Sequence, residues 1–184
     1  MLLEILSTLS AGLFAGAAIY VNLVEHAARM ECGTGVAVTE FAPSYRRGAV
    51  MQGTLGAIGF LSATAAWLKG SSFWWLSGGI VLLAVIPFTL VVIFPTNKQL
   101  LDPSLDKNSE LAVKLLIRWG RLHAVRSILG LVSFLIFIIL LGTFGVEINS
   151  INAAPNNFVS GERGIAPFLT GVVQRGLRVA ARAT

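Results

Sequence analysis

The chain has 184 residues, of which 55% are hydrophobic and 12% are charged, against roughly 25% charged residues in an average globular domain. One soluble core of this size cannot hide that much apolar surface, so the composition indicates a single membrane domain. The net charge is +5, but the basic residues are scattered and not interleaved with aromatic side chains, which argues against a nucleic-acid partner.

The first apolar segment covers about residues 3–24 and is long enough to cross a bilayer, whose core needs about 20 helical residues. The residues before its continuous apolar run, which covers 5–24, contain Glu4 and no Lys or Arg, unlike the basic start of a cleaved signal peptide. We therefore predict a helix that is retained in the protein. Its Gly12 and Gly16 form a small-residue pair of the kind that brings membrane helices together.

Three further apolar segments meet the same length criterion and cover about residues 49–68, 73–94 and 127–144. In the second segment, Ala49, Gly53 and Ala57 form a ladder of small residues, with Gly56 and Gly59 beside it, and we expect these residues to pack against the first helix. The short turn at residues 69–72 predicts that the second and third helices are antiparallel neighbours.

Prolines and a serine predict where the later helices bend, end and begin. Pro87 should kink the third helix because it removes one backbone hydrogen bond, and Pro95 should end that helix after Phe94. Ser109 is a predicted N-cap for a fourth helix of roughly 35 residues. The predicted fold is an all-α membrane protein, a four-transmembrane-helix bundle with a long fourth helix over residues 1–145.

The C-terminal residues 146–184 differ in composition, being rich in Asn, Ala, Gly and Arg. They predict either a flexible tail or an amphipathic segment on the membrane surface. Lys and Arg are concentrated between the first and second segments and between the third and fourth. The positive-inside rule therefore predicts cytoplasmic first and third loops, with both termini on the opposite side. Cys32 is the only cysteine, which excludes an intramolecular disulfide and predicts a free thiol in the first loop.

Polar residues collect at one end of this predicted bundle, because the ends of the first and third helices meet the starts of the second and fourth. The residues singled out there are Asn22, Glu25, His26, Gln52, Asn97, Trp119, His123 and Arg126. Helical spacing places Asn22, Glu25 and Arg29 on one face, and Trp119, His123 and Arg126 on another. Charged groups at membrane depth are costly and often functional, whereas Arg29 and other arginines near helix ends can extend to lipid headgroups.

Three chemistries suit this set of residues. His26 and His123 with Glu25 could hold a metal ion, although no motif with metal-ligand spacing is present. The two histidines could also be axial ligands of a haem. A neutral histidine, with an ordinary pKa of about 6.5, is also a suitable general base towards an acidic carbon or phenol. In that case Arg126 or Asn97 could stabilise the resulting oxyanion.

Three stretches of the sequence resemble the anthrone oxygenase-like membrane family: YVNLVEH at 20–26, PTNK at 95–98 and WGRLHAVR at 119–126. The resemblance covers about residues 5–145. It implies a four-helix membrane protein that oxidises a flat phenolic or anthrone-type molecule with O2, without a conventional cofactor. By position, it implies that His26 and His123 handle protons and that Arg126 and Asn97 stabilise negative charge.

We therefore predict two groups of site residues and no resident cofactor. The catalytic residues are His26, His123, Glu25 and Arg126, and the substrate-binding residues are Asn22, Gln52, Asn97 and Trp119. The expected partners are membrane lipids, an apolar small-molecule substrate and other membrane proteins. Two other functions stay open: a non-catalytic membrane subunit or scaffold whose polar cluster fixes helix register, and a redox protein with a haem or metal bound by both histidines. A transporter is disfavoured, because four segments without paired halves offer little machinery for alternating access.

Overall fold

The computed structural model describes the backbone of residues 1–152 and the side chains of residues 1–143. Four long helices follow one another: α1 Leu2–Glu31, α2 Thr34–Leu68, α3 Phe73–Leu100 and α4 Glu110–Asn152. Each contains a stretch long and apolar enough to cross a membrane. The predicted all-α four-helix bundle is confirmed, and the chain is an integral membrane protein. The prediction for the C-terminal tail falls almost entirely outside the described residues.

The connection between α1 and α2 is much shorter than the predicted first loop. Helix α2 begins at Thr34, so only Cys32 and Gly33 separate the two helices, and the predicted start near residue 49 is wrong. Gly33 has a φ of +89°, a backbone conformation that favours glycine. The first turns of α2 are amphipathic, and they bury Ala37, Val38 and Phe41. Hydropathy detects only the continuous apolar run and therefore misses this extension. Cys32 is a free, exposed thiol, as predicted.

The sequence predicts that helix α3 ends after Phe94, and this prediction is wrong. The helix continues through Pro95 to Leu100. A wide π-helical turn, Thr89–Ile93, directly precedes this last part of the helix. In a regular α-helix the ring of Pro95 would clash with the carbonyl group four residues earlier. The wider turn lets the chain remain helical at the position where the sequence predicts an end.

Helix α4 begins where the sequence predicts. The Ser109 hydroxyl accepts a hydrogen bond from the backbone N–H of Ala112 at 3.2 Å, which is the N-cap geometry that satisfies an otherwise unpaired donor. The helix spans 43 residues and is longer than predicted. This length carries α4 from the polar end of the bundle through the membrane.

The predicted packing of α1 against α2 is confirmed at Gly59, whereas Gly16 and Gly53 do not take part in it. A Cβ on Gly12 would lie 2.9 Å from the Phe134 ring of α4, and one on Gly16 would meet no atom within 4 Å. Helices α1 and α2 do pack together, but their close approach is at Gly59, where a Cβ would lie 3.3 Å from Ser10 Cβ. The reason is rotation of each helix about its axis, since Gly16 and Gly53 both lie on exposed faces.

Gly130 of α4 is a second place where a helix backbone meets an aromatic ring. A Cβ there would lie 2.6 Å from Cδ1 of Phe14, whose side chain is 2% exposed. We expect Gly130→Ala to destabilise the protein by about 1–3 kcal/mol, because a well-packed ring has to move. Thermal unfolding in detergent measures this loss. Gly142→Ala in the same helix is the control, since a Cβ there meets no atom within 4 Å; equal Tm values for the two variants would contradict the packing.

Two buried clusters divide the bundle along its length. One contains Trp75 stacked on Phe137, with ring centroids 5.3 Å apart. The other contains Phe41 and Trp119, whose rings meet edge to face at 5.3 Å. The second cluster lies at the end where the polar residues collect, and it supports the side chains described next.

Candidate functional site

A cavity of about 760 Å³ lies between the helices at the polar end of the bundle. This volume is within the range of small-molecule sites, about 300–1,000 Å³. The structure brings six of the predicted site residues into its lining, namely Glu25, Gln52, Asn97, Trp119, His123 and Arg126. Asn22 and His26 do not line the cavity. Asn22 contacts the lining residue His123, and His26 contacts the lining residue Trp119. The predicted shared face of Trp119, His123 and Arg126 is confirmed.

His123 is held in one orientation by Asn22. The side-chain Nδ2 of Asn22 donates to the carbonyl oxygen of Gly120 at 3.0 Å, so Oδ1 of Asn22 faces His123 Nδ1, at 2.6 Å. An amide oxygen only accepts, and His123 Nδ1 therefore carries the proton in the neutral ring. The lone pair is then on Nε2, which has no hydrogen-bond partner among the described residues. This is the arrangement of a general base whose tautomer is set by a neighbouring residue.

Ser127 completes this arrangement, and the sequence analysis did not single it out. Its hydroxyl donates to Oδ1 of Asn22 at 2.8 Å, and it also lies 3.2 Å from the backbone oxygen of His123. Ser127 is four residues after His123 in α4, so the i, i+4 spacing was a signal available in the sequence. What the spacing does not show is that Asn22 of α1 lies against both residues.

His26 has different surroundings from His123. A Cβ on Gly120 would lie 2.6 Å from His26 Nε2, so this nitrogen rests against the backbone of α4. The His26 ring also contacts Trp119, with centroids 5.2 Å apart, and Trp119 in turn stacks on His123 at 4.7 Å. Trp119 thus contacts both imidazoles, and His26 supports the indole from outside the cavity.

Arg126 is a buried cation at the inner wall of the cavity, with 9% of its surface exposed. It donates to Gln52 Oε1 at 2.5 Å and to the Thr89 hydroxyl at 3.4 Å, and its guanidinium lies 5.4 Å from the centroid of the Phe14 ring. Its Nε has no hydrogen-bond partner, and no carboxylate pairs with it in the described part of the chain. A buried charge usually has a counter-ion, so this site favours negative charge on a ligand.

Asn97 presents a second unsatisfied polar group to the same cavity. Its side chain is 1% exposed, and neither Oδ1 nor Nδ2 has a hydrogen-bond partner in the described residues. Most buried polar atoms in proteins are hydrogen-bonded, and an unsatisfied one costs about 1–3 kcal/mol. Asn97 can therefore donate to and accept from a polar edge of a bound molecule.

An arginine near a helix end can extend to lipid headgroups, but Arg29 points into the bundle. It is 5% exposed and binds Glu25, Ser44 and Glu40, the last with 2.8 Å between Nε and Oε2. The predicted common face of Asn22, Glu25 and Arg29 is also wrong. A π-helical turn at Val21–Glu25 changes the helical register, so Asn22 bonds to α4 and Glu25 to α2, while Arg29 binds α2 and also lies over the Trp119 ring of α4.

No three His, Cys, Asp or Glu side chains come together in the part of the chain that the structure describes. The histidines meet aromatic rings, amides and backbone. The acidic residues near them, Glu25 and Glu40, bind Arg29.

Comparison with known proteins agrees with this architecture. A sequence model of a family described as anthrone oxygenase matches residues 41–136, just over half of the chain. The match includes Gln52, Asn97, Trp119, His123 and Arg126 and leaves out all of α1, with Asn22 and His26. Neither the curated proteins nor the solved structures give a significant match. The chain belongs to the anthrone oxygenase family.

Proposed function

We propose that this protein is a membrane enzyme that oxidises a flat, apolar, phenolic or anthrone-type molecule with O2, and that His123 is its general base. The observation that carries the proposal is the hydrogen bond from His123 Nδ1 to Asn22, which leaves Nε2 as the basic nitrogen. His123 lines a cavity large enough for a fused-ring molecule. Family membership supports oxygenase chemistry, and the site supports the type of substrate.

The proposed reaction begins with proton transfer to His123. Nε2 takes one proton from the methylene carbon of the substrate, and the resulting carbanion is oxidised by O2, forming a C–O bond and a peroxide anion. The protonated His123 returns its proton to the peroxide. Loss of water removes the second methylene hydrogen and breaks the O–O bond, which leaves a carbonyl group. One oxygen atom enters the product and the other becomes water, so the C–H bonds supply all the electrons and no resident cofactor is required.

Arg126 and Asn97 are suited to the charge that develops in this reaction. Deprotonation of an anthrone places negative charge on the carbonyl oxygen. The unpaired guanidinium of Arg126 and the unsatisfied amide of Asn97 can both donate to that oxygen. Trp119 stacks on His123 and offers a flat surface beside the base. Gln52 orients Arg126 through their hydrogen bond.

The surroundings of His26 argue against a haem or metal shared by both histidines. Nε2 of His26 lies against the backbone at Gly120 and its Nδ1 is buried, and His26 does not line the cavity on which His123 lies. His123 Nδ1 is already bound to Asn22. We therefore propose that His26 has a positioning role, holding Trp119 against His123.

We also propose that the end of the bundle with the cavity faces the cytoplasm. The basic residues exposed towards that end are Arg46, Arg47, Lys98, Lys107, Lys114, Arg118 and Arg121. The opposite end offers Lys69 within the described residues. The positive-inside rule then assigns the first end to the cytoplasmic side.

Anthrone turnover by the full chain in lipid nanodiscs tests the proposed function. We expect the protein to accelerate conversion of anthrone to anthraquinone above the rate in empty nanodiscs. With isotopically labelled O2, one labelled atom should appear in the product for each O2 consumed. The proposal would be contradicted if the protein oxidised neither anthrone nor its hydroxylated derivatives faster than empty nanodiscs do.

A further inference from the structure

The walls of the cavity differ sharply in exposure. The residues contributed by α3 and α4 are buried, with Ile93 and Asn97 each 1% exposed. On the opposite side, the residues contributed by α1 and α2 include Gly16, Tyr20 and Met51, all of which are exposed. The cavity is therefore closed by α3 and α4 and open along the seam between α1 and α2.

Small residues leave this seam wide. A Cβ added at Gly16 of α1, or at Gly48 of α2, would meet no atom within 4 Å. Both glycines line the cavity, together with Ala17 and Ala49. The two helices approach closely further along, at Gly59. The gap is thus a local feature of the seam at the level of the cavity.

The seam opens at the depth of the membrane. Gly16 and Tyr20 lie inside the first apolar segment, and Met51 lies inside the second. Around the opening, 56% of Tyr20 and 48% of Met51 are exposed. Arg47 is exposed and also lines the cavity, but it comes before the second apolar segment and lies towards the polar end of the bundle. Lipid chains rather than water therefore surround the opening.

The water-facing end of the cavity is closed by charged residues. Arg29 of α1 binds Glu40 and Ser44 of α2 as well as Glu25 of its own helix, and all four residues line the cavity. An apolar molecule entering there would have to pass a bridged ion pair, whose separation leaves buried charge uncompensated. The seam has no such bridge.

We propose that the substrate enters laterally from the lipid phase, between α1 and α2, and that Gly16 and Gly48 set the width of this opening. The ligand class is a flat, apolar molecule with a polar leading edge, because Gly16, Tyr20 and Met51 border the opening and the buried wall of the cavity carries the unsatisfied amide of Asn97. The identity of the ligand rests on the proposed function, but the route does not, since the opening and the buried amide are features of the chain itself.

Thiol labelling tests the route without using turnover. In a Cys32→Ala background, Ile93→Cys places the only thiol on the buried wall of the cavity, because the chain has one cysteine. The full chain is reconstituted in lipid nanodiscs and treated with pyrene maleimide, which is flat and dissolves in lipid, or with a sulfonated maleimide, which stays in water. We expect pyrene maleimide to react and the sulfonated reagent to react much more slowly.

The seam is then narrowed by Gly16→Leu. We expect the pyrene reaction to slow by about tenfold or more, as a steric barrier at the opening would cause. Gly53→Leu is the matched control, because Gly53 is also exposed, its added Cβ meets no atom within 4 Å, and it does not line the cavity. It should leave the rate unchanged. Equal rates for the two leucine variants, or equal labelling by both reagents, would overturn the proposal.

A second thiol position covers the case in which Ile93→Cys fails to fold. Val21→Cys lies on the α1 side of the same cavity and replaces a partly buried side chain. If neither folded cysteine variant reacts with pyrene maleimide, the cavity cannot be reached from the lipid and the proposal fails. If the cysteine variants react with pyrene maleimide as expected but the wild-type protein does not oxidise anthrone, the proposed function is rejected and the route is not.

Discussion

His123→Gln is expected to lower kcat/KM for anthrone oxidation by about 10²–10⁴-fold, the usual contribution of a general base. Glutamine retains a polar group of similar size that can still meet Asn22, but it cannot accept a proton from carbon at neutral pH. The protein should remain folded, because the Asn22–Gly120 and Asn22–Ser127 hydrogen bonds do not involve the imidazole ring. Anthraquinone absorbance measures the rate, and thermal unfolding checks the fold.

Two further variants make this prediction specific. Arg118→Gln lies in the same helix, is exposed and does not line the cavity, so its kcat/KM should equal that of the wild type. His26→Gln should lose less activity than His123→Gln, because His26 contacts the cavity only through Trp119. A folded His123→Gln protein with wild-type activity would contradict the assignment of the base. A larger loss of kcat/KM in His26→Gln than in His123→Gln would indicate that His26 is the general base.

Replacing Arg126 and Gln52 together separates a catalytic site from a structural one. In Arg126→Met/Gln52→Leu, we expect anthrone turnover to fall by about 10²–10³-fold, the effect of losing one oxyanion-stabilising group. We expect the Tm to be equal or higher. Replacing both residues with apolar side chains removes a buried cation that has no counter-ion. Because Gln52 is replaced as well, its amide is not left without the hydrogen bond from Arg126.

Arg29→Met is the matched control for stability. Both arginines are buried, but Arg29 is paired with Glu25 and Glu40, so its removal should lower the Tm by leaving two carboxylates without their partner. A non-catalytic subunit, in which the polar cluster fixes helix register, predicts a lower Tm for the Arg126/Gln52 variant as well. That result, with turnover unaffected, would favour the structural role.

Much of the fold follows from local features of the sequence. The four apolar segments identify the spanning helices because each contains enough consecutive apolar residues to cross a bilayer. Ser109 marks the start of α4 because its hydroxyl satisfies a free N–H within the same turn. The common face of Trp119, His123 and Arg126 follows from regular helical spacing, since α4 is regular through this region.

Other features depend on partners distant in sequence or on irregular backbone. The early start of α2 depends on a buried face formed by Ala37, Val38 and Phe41, whose partners lie on α3 and α4. The separation of Asn22 from Glu25 depends on a π-helical turn in α1, and periodicity assumes a regular α-helix. Gly16 matches a packing motif but faces an opening, because helix rotation is set by the whole bundle.

A four-helix membrane protein with its polar side chains at one end follows from the sequence alone, because hydrophobicity, helix length and chain direction are local or additive properties. How those side chains are arranged depends on the tertiary structure. It directs His123 Nδ1 to Asn22 and leaves Nε2 as the basic nitrogen, and it places His26 against Gly120, outside the cavity. These differences arise from contacts between α1 and α4, which are far apart along the chain and meet only when the bundle packs.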